Sequence, residues 1–177
     1  MAKNRIRQVS GAALLLLALA AAPVPAAVPE YQLKAAFLYN FAIFTDWPPT
    51  AAAHMTVCVL GRDPFGAALD ALNGKIVQNK TLATRRIATA EEARDCRVLF
   101  IGAESGIDLG STLAALKGRP VLTVAEDRGA MHQGAMIGLV SDGERIAFDI
   151  NTAAARDGGL VLSSKLLRLA RRLYPAP

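Results

Sequence analysis

Three short apolar runs, set between stretches of helical character, constrain this chain more than any other feature. Met55 to Leu60 ends at Gly61, Arg97 to Ile101 ends at Gly102, and Pro120 to Val124 forms the third. Each is too short for a helix and lacks the polar alternation of a half-exposed strand. Such runs, alternating with helices, specify a parallel sheet covered on both faces. Asp63 and Pro64 offer a cap and a first-turn proline for a helix to about Leu72, and Ser105 caps a helix that Gly118 stops near Lys117. Thr81 to Ala88 is more polar and reads as an edge strand. Ala135 to Val140 and Arg145 to Ile150 are joined by Ser141-Asp142-Gly143-Glu144, which is Asp-Gly hairpin chemistry. A last helix, capped by Ser163 or Ser164, runs to Leu173, with Leu162, Leu166, Leu169 and Leu173 as its core face. The expected fold is α/β, a mostly parallel sheet flanked by helices, with a C-terminal β-hairpin and helix.

The start of the chain is of another kind. Lys3, Arg5 and Arg7 precede an unbroken Ala/Leu/Gly run from Gly11 to Ala22, and Pro23 to Ala27 add a breaker and small residues. This is the three-part pattern of a secretory signal, with cleavage after Ala26 or Ala27. The apolar run falls short of the roughly 20 residues that span a bilayer. Residues 1–26 are therefore expected to be a leader, and residues 27–177 a single domain outside the cytoplasm. The leader also skews the charge. The whole chain carries 20 Lys+Arg against 15 Asp+Glu, but removing three leader cations lowers the balance from +5 to +2. No concentrated basic stripe remains for nucleic acid.

Chemistry-bearing residues are sparse. His54 and His132 are the only histidines, and neither has metal-ligand spacing with other His, Cys or carboxylates. Gly102-Ala103-Glu104-Ser105-Gly106 sits where a hydrolase nucleophile would, but its glycines are misplaced for a nucleophile elbow. Ser105 reads instead as a helix cap. Gly61 to Gly66 lacks dinucleotide-loop spacing, and no P-loop is present. No catalytic residue, metal or cofactor is expected. The loops at the carboxyl ends of the three runs carry Arg62, Asp63, Glu104, Glu126, Asp127 and Arg128. Open α/β sheets bind ligands there; solvated loops with helix caps are the alternative.

Cys58 and Cys96 are the only cysteines. An even count in an exported chain reads as a disulfide, and two buried thiols are the other reading. If both cysteines lay on strands ending level, at Gly61 and Gly102, their offset would be about 10 Å. A disulfide needs Cα atoms within about 7 Å. The register is therefore expected to be shifted, or the bridge to need local movement.

Glu30 to Phe44, EYQLKAAFLYNFAIF, is long enough for a helix, yet Gln32, Lys34 and Asn40 define no coherent polar face. A small domain hardly buries a helix on all sides. Tyr31, Phe37, Tyr39 and Phe41 are thus candidate anchors of a homodimer or partner interface, against a helix threaded through the core. Lys165, Arg168, Arg171 and Arg172 give the last helix a basic face, either solvated or a dock for an acidic partner.

The ordered strings KAAFLYNFAIFTDWP, VCVLGRDPFGAALDALNGK, CRVLFIG, GRPVLTV, GAMIGLV and NTAAARDGGLVLSSKLLRLAR resemble the YfiR family of secreted bacterial proteins, over about Tyr31 to Arg171. The resemblance implies a periplasmic regulator without catalysis. It would repress an inner-membrane diguanylate cyclase through the cyclase's periplasmic part, lowering cyclic di-GMP and restraining biofilm formation. An outer-membrane lipoprotein that binds peptidoglycan would sequester it. Cys58 and Cys96 match a cysteine pair that can bridge in the family; a second family disulfide has no counterpart here. A periplasmic small-molecule sensor or carrier using the strand-end loops is the alternative function.

Overall fold

The computed structural model describes residues 29–49, 52–127, 129–142 and 145–174. The leader lies outside these residues, as do Arg128, Gly143 and Glu144. In chain order the elements are α1 (Glu30–Ile43), β1 (Thr45–Asp46), β2 (His54–Leu60), α2 (Ala67–Asp70), β3 (Ile76–Val77) and β4 (Lys80–Ile87). A single 3-10 turn (Glu92–Asp95) precedes β5 (Val98–Ile101), α3 (Leu109–Ala115), β6 (Leu122–Ala125), β7 (Ile137–Asp142) and β8 (Arg145–Asn151). The chain continues through α4 (Thr152–Asp157), β9 (Val161–Leu162), α5 (Ser164–Leu169) and β10 (Arg172–Tyr174).

The main sheet has the order β10-β8-β7-β6-β5-β2-β4-β3. β4, β2, β5, β6 and β7 are parallel, as the uninterrupted apolar runs require. Only the β3–β4 and β7–β8 pairs within it are antiparallel. Successive side chains on a strand point to opposite faces, so a strand buried on both sides feeds two cores. Val57, Val59, Val98 and Phe100 enter the larger core, which α1, α2 and the C-terminal elements cover. Cys58, Leu60, Leu99 and Ile101 enter a smaller core under the 3-10 turn and α3.

α1 has one buried face. Lys34, Ala35, Leu38, Phe41 and Ala42 are buried, whereas Gln32, Leu33, Ala36 and Asn40 are exposed. The nearly all-round apolar composition does not translate into all-round burial, because much of the outer stripe is alanine and polar residues. Phe41 packs edge-on against Phe148 at 5.0 Å between centroids, and Phe37 against the same ring at 5.7 Å. Tyr31 meets Phe65 at 5.3 Å, and Phe65 meets Phe100 at 4.7 Å. Such pairs add about 0.5–1.5 kcal/mol each beyond burial.

Several boundaries differ from those read in the sequence. Asp63 and Pro64 do not open α2; the Asp63 carboxylate accepts from Phe65 N at 2.7 Å in a turn, and the short helix begins after Gly66. The cap of α3 is Asp108, whose side chain accepts from Ser111 N at 2.8 Å. Ser105 instead accepts from Ile107 N at 3.3 Å, closing a turn. α5 is capped by Ser163 as read, but stops at Leu169. The residues beyond it form β10, parallel to β8, held where Arg171 grips the buried Asp149 through two bonds of 2.9 and 2.7 Å. Of the leucines assigned to that helix's core face, only Leu166 is buried; Leu162 is half-buried, and Leu169 and Leu173 face solvent. β4 is not the last strand. The two-residue β3 covers its edge, and Gln78 and Asn79, both at positive φ, turn the chain from β3 into β4.

Cys58 and Cys96 are joined in a disulfide with Cα atoms 5.9 Å apart. The strands do end level, since Leu60 is paired with Ile101. The offset argument fails because Cys96 is not on a strand. It ends the 3-10 turn, where the chain folds over the smaller core before Arg97 N bonds to Thr56 O at 2.8 Å.

Candidate functional site

The carboxyl ends of β5 and β6 and the outer half of β7 meet the first turn of α1. Lys34 sits on the buried face of that helix, with its side chain 5% exposed. A lone ammonium there would be costly, so burial demands partners. Its Nζ donates to Glu126, directly after β6, and to Glu30 one turn back on α1. The Glu126 side chain is itself 9% exposed. Tyr31 lays its ring 4.4 Å from the Lys34 ammonium and its hydroxyl donates to Glu126 Oε2 at 3.4 Å. Ser141 Oγ donates to Glu30 Oε1 at 2.8 Å. Tyr31, Lys34, Glu126 and Ser141, together with Ala103, Glu104, Leu139 and Val140, line a cleft of about 270 Å³.

The electrostatics follow from this geometry. Burial pulls the Lys34 ammonium down, but its bonds to Glu126 and Glu30 outweigh that and hold it above the usual lysine value. The bond from Lys34, then that from Ser141, holds the Glu30 carboxyl below the usual carboxylate range. Burial, then the Glu126 charge, pushes the Tyr31 phenol up.

Two glycines shape the loops beside the cleft. Gly61 has φ +77°, and a Cβ there would lie 2.5 Å from Ser105 O, so the loops after β2 and β5 touch only because that residue lacks a side chain. At Gly102 a Cβ would stand 3.4 Å from Glu126 Oε2.

The residues singled out in the strand-end loops do not converge as one set. Glu126 alone among them is built into the buried cluster. Glu104 reaches the rim of the cleft and pairs with exposed Arg62 at 3.1 Å. Asp63 belongs to a separate surface network, in which Arg86 binds Asp63 at 2.8 Å and Asp70 at 2.6 Å. Asp127 accepts from Gly129 N at 2.6 Å in a turn. Arg128 lies outside the described residues. Of the aromatic residues proposed as interface anchors, Phe41 is wholly buried within the chain, which removes it from any outer surface. Tyr31, Phe37 and Tyr39 are half-buried and pack against the larger core. The sequence reading missed Lys34 and Glu30 as site residues. Their signal was a lysine inside an otherwise apolar helical stretch, four residues after a glutamate. Ser141 carried no signal, because its role depends on where the β7–β8 hairpin ends in space.

A second cleft, about 350 Å³, lies between α3 and α4, with Leu113, Leu116 and Met136 among its lining residues. Its charged residues, Lys117 and Asp157, are exposed. Among the described residues, no group of three or more His, Cys, Asp or Glu could hold a metal ion. No helix among them is long and apolar enough to cross a membrane.

Residues 31–171 match the YfiR/HmsC-like family. The chain belongs to that family. The match runs from the first turn of α1 to the arginine that anchors β10, so it takes in both cores, the disulfide and, apart from Glu30, the Lys34 cluster. YfiR/HmsC-like proteins are periplasmic and regulatory rather than catalytic, and the family points to cyclic di-GMP signalling with membrane partners. Among solved structures, a conserved domain protein from Vibrio cholerae O1 biovar eltor resembles the chain with a TM-score of 0.56 and 8% identity, over 82% of this chain and 60% of that one. That likeness concerns the fold. An ABC domain from Streptococcus pneumonia, in complex with L-Trp, gives a TM-score of 0.49 and 10% identity over 68% of this chain and 55% of its own. The chain thus spans 60% or less of the length of these two proteins.

Proposed function

We propose that this protein is exported to the periplasm and represses a membrane-bound diguanylate cyclase by binding the cyclase's periplasmic domain, so lowering cyclic di-GMP. An outer-membrane lipoprotein that sequesters the repressor would release the cyclase. The observation that carries this reading is the match to a regulatory family over residues 31–171, which covers the folded unit from α1 to the edge of β10. A homodimer is part of the same proposal, with the exposed α1 stripe around Leu33 and Ala36 as its surface.

The test uses the mature protein and the separately produced periplasmic domain of a membrane cyclase from the same cell. Isothermal titration should show a saturable complex, and deleting the gene should raise cellular cyclic di-GMP in a way that depends on that cyclase. Failure to bind any such domain from the cell, with cyclic di-GMP unchanged on deletion, would overturn the proposal.

A further inference from the structure

β6 and β7 pair from Val124 and Ile137 onward. One residue earlier they part, and Met136 N bonds to the Thr123 side chain at 3.0 Å instead. The cleft of about 350 Å³ between α3 and α4 opens at that parting. It lies at the amino ends of these strands, not among the loops that carry Glu104 and Glu126. Leu113, Leu116 and Met136 give it a carbon lining. Two polar side chains in the lining are oriented by bonds they already make. Thr123 is 3% exposed; its oxygen accepts from Met136 N, and its hydroxyl proton has no acceptor among the described residues. Asn151 Oδ1 caps α4 by accepting from Ala154 N at 2.9 Å. Its amide N–H groups are thereby turned away from the helix, and they too have no acceptor among the described residues. Both oxygens are occupied, so what the two side chains offer the cleft is protons. A withdrawn donor without an acceptor is costly, and a ligand that brings one relieves that cost.

We propose that this cleft binds a small apolar molecule bearing a carbonyl-type oxygen, as a carboxylate or a neutral amide. The oxygen would accept from Thr123 Oγ1 and Asn151 Nδ2, and the carbon body would lie against Leu113, Leu116 and Met136. The volume falls within the usual range for ligand cavities. An ammonium compound would bring donors to donors. Exposed Lys117 and Asp157 carry opposite charges, so the mouth of the cleft does not choose between the two oxygen-bearing forms. The site is built from α3, α4 and the starts of β6 and β7, not from the exposed stripe of α1. This proposal and cyclase repression therefore stand or fall separately.

The experiment is thermal unfolding and calorimetric titration of the mature protein with sodium hexanoate, hexanamide and n-hexylammonium chloride at equal ionic strength. A saturable rise in melting temperature is expected with hexanoate or hexanamide and none with hexylammonium, which has the same chain but no acceptor. Saturation by hexanoate alone identifies the carboxylate, and by hexanamide alone the neutral carbonyl. Asn151→Asp keeps the oxygen that caps α4 but removes the N–H donors and adds a negative charge. It should weaken hexanamide about tenfold, the loss expected for one hydrogen bond, and abolish hexanoate binding. Equal stabilisation by all three compounds, no response to either oxygen-bearing one, or unchanged affinity in Asn151→Asp would overturn the inference. Should that variant fail to fold, amide NMR of the parent decides. Met136 N and Ala154 N, which bond to the two side chains, should shift along the same saturation curve, and binding that leaves both unmoved would overturn it.

Discussion

Lys34 shows how one residue's cost is set by its surroundings. Its ammonium is desolvated on the inner face of α1, and Glu126 and Glu30 offset that loss. Removing one partner of a buried pair leaves the other uncompensated, at about 3–5 kcal/mol, whereas replacing both with carbon is often neutral. Lys34→Met should therefore lower the unfolding free energy in urea by about 3 kcal/mol, and Lys34→Met/Glu126→Leu should recover most of it. A double variant no more stable than the single one would show that the pair does not act as a unit. Glu30 makes a separate prediction about pH. Its carboxyl is held below the usual range, so its contribution is present above the unfolded value of about 4.3 and is lost as pH falls through the lower folded value. Lys34, held above its usual value, contributes fully below about 10.4 and loses this only as pH rises through the raised value. The melting-temperature gap between the parent and Glu30→Gln should accordingly be widest near neutrality and close on acidification. Glu30 is half-exposed, so the gap should also shrink in high salt.

At the scale of elements, what could be read from the sequence follows what was local in cause. Val57 to Leu60, Val98 to Ile101 and Leu122 to Ala125 are buried on both faces, and their nearly unbroken apolar sequence, Thr123 apart, identified central parallel strands. The β7–β8 hairpin was equally legible from its turn. The short pieces were not. β1 and β9 pair through two residues each, and β10 exists because Asp149 and Arg171 bring the end of the chain to the sheet edge. No periodicity announces contacts of that kind. Leu169 and Leu173 kept helical spacing, but the helix between them ended, so the pattern lost its meaning. The candidate site was legible at Glu126 and hidden at Lys34, because the spacing of α1 could not say which of its turns met the strand ends. α1 itself carries the proposal for assembly. Its outer stripe contains Leu33, 38% exposed, beside Ala36 and Asn40. Leu33→Asp replaces a side chain that the monomer does not need buried. It should leave the circular dichroism spectrum unchanged and shift the mass seen by light scattering from dimer to monomer. An unchanged dimer mass would move the interface to another surface.

Across the whole molecule, both cores are built on one sheet, and this bears on whether residues 27–177 fold as one domain. The disulfide staples the smaller core, where Cys58 and Cys96 are fully or almost fully buried. Trp47, the only tryptophan, packs against the larger core on the other face. Yet Val57 and Cys58 are consecutive residues of β2 that serve opposite faces, so neither core can loosen without disturbing strands that the other uses. The bridge closes a loop with a sequence separation of 38. Chain entropy values such a loop at about 4 kcal/mol. For a domain of this size that corresponds to roughly 8–16 °C in melting temperature. The Cys58→Ser/Cys96→Ser variant should melt lower by about that amount. Trp47 fluorescence and far-ultraviolet circular dichroism should fall together in a single transition. If Trp47 kept its original midpoint while the dichroism split into two steps, the faces would be separate cooperative units and the one-domain reading would fail. Coincident transitions would mean that a bond on one face sets the stability of the other through the strands they share.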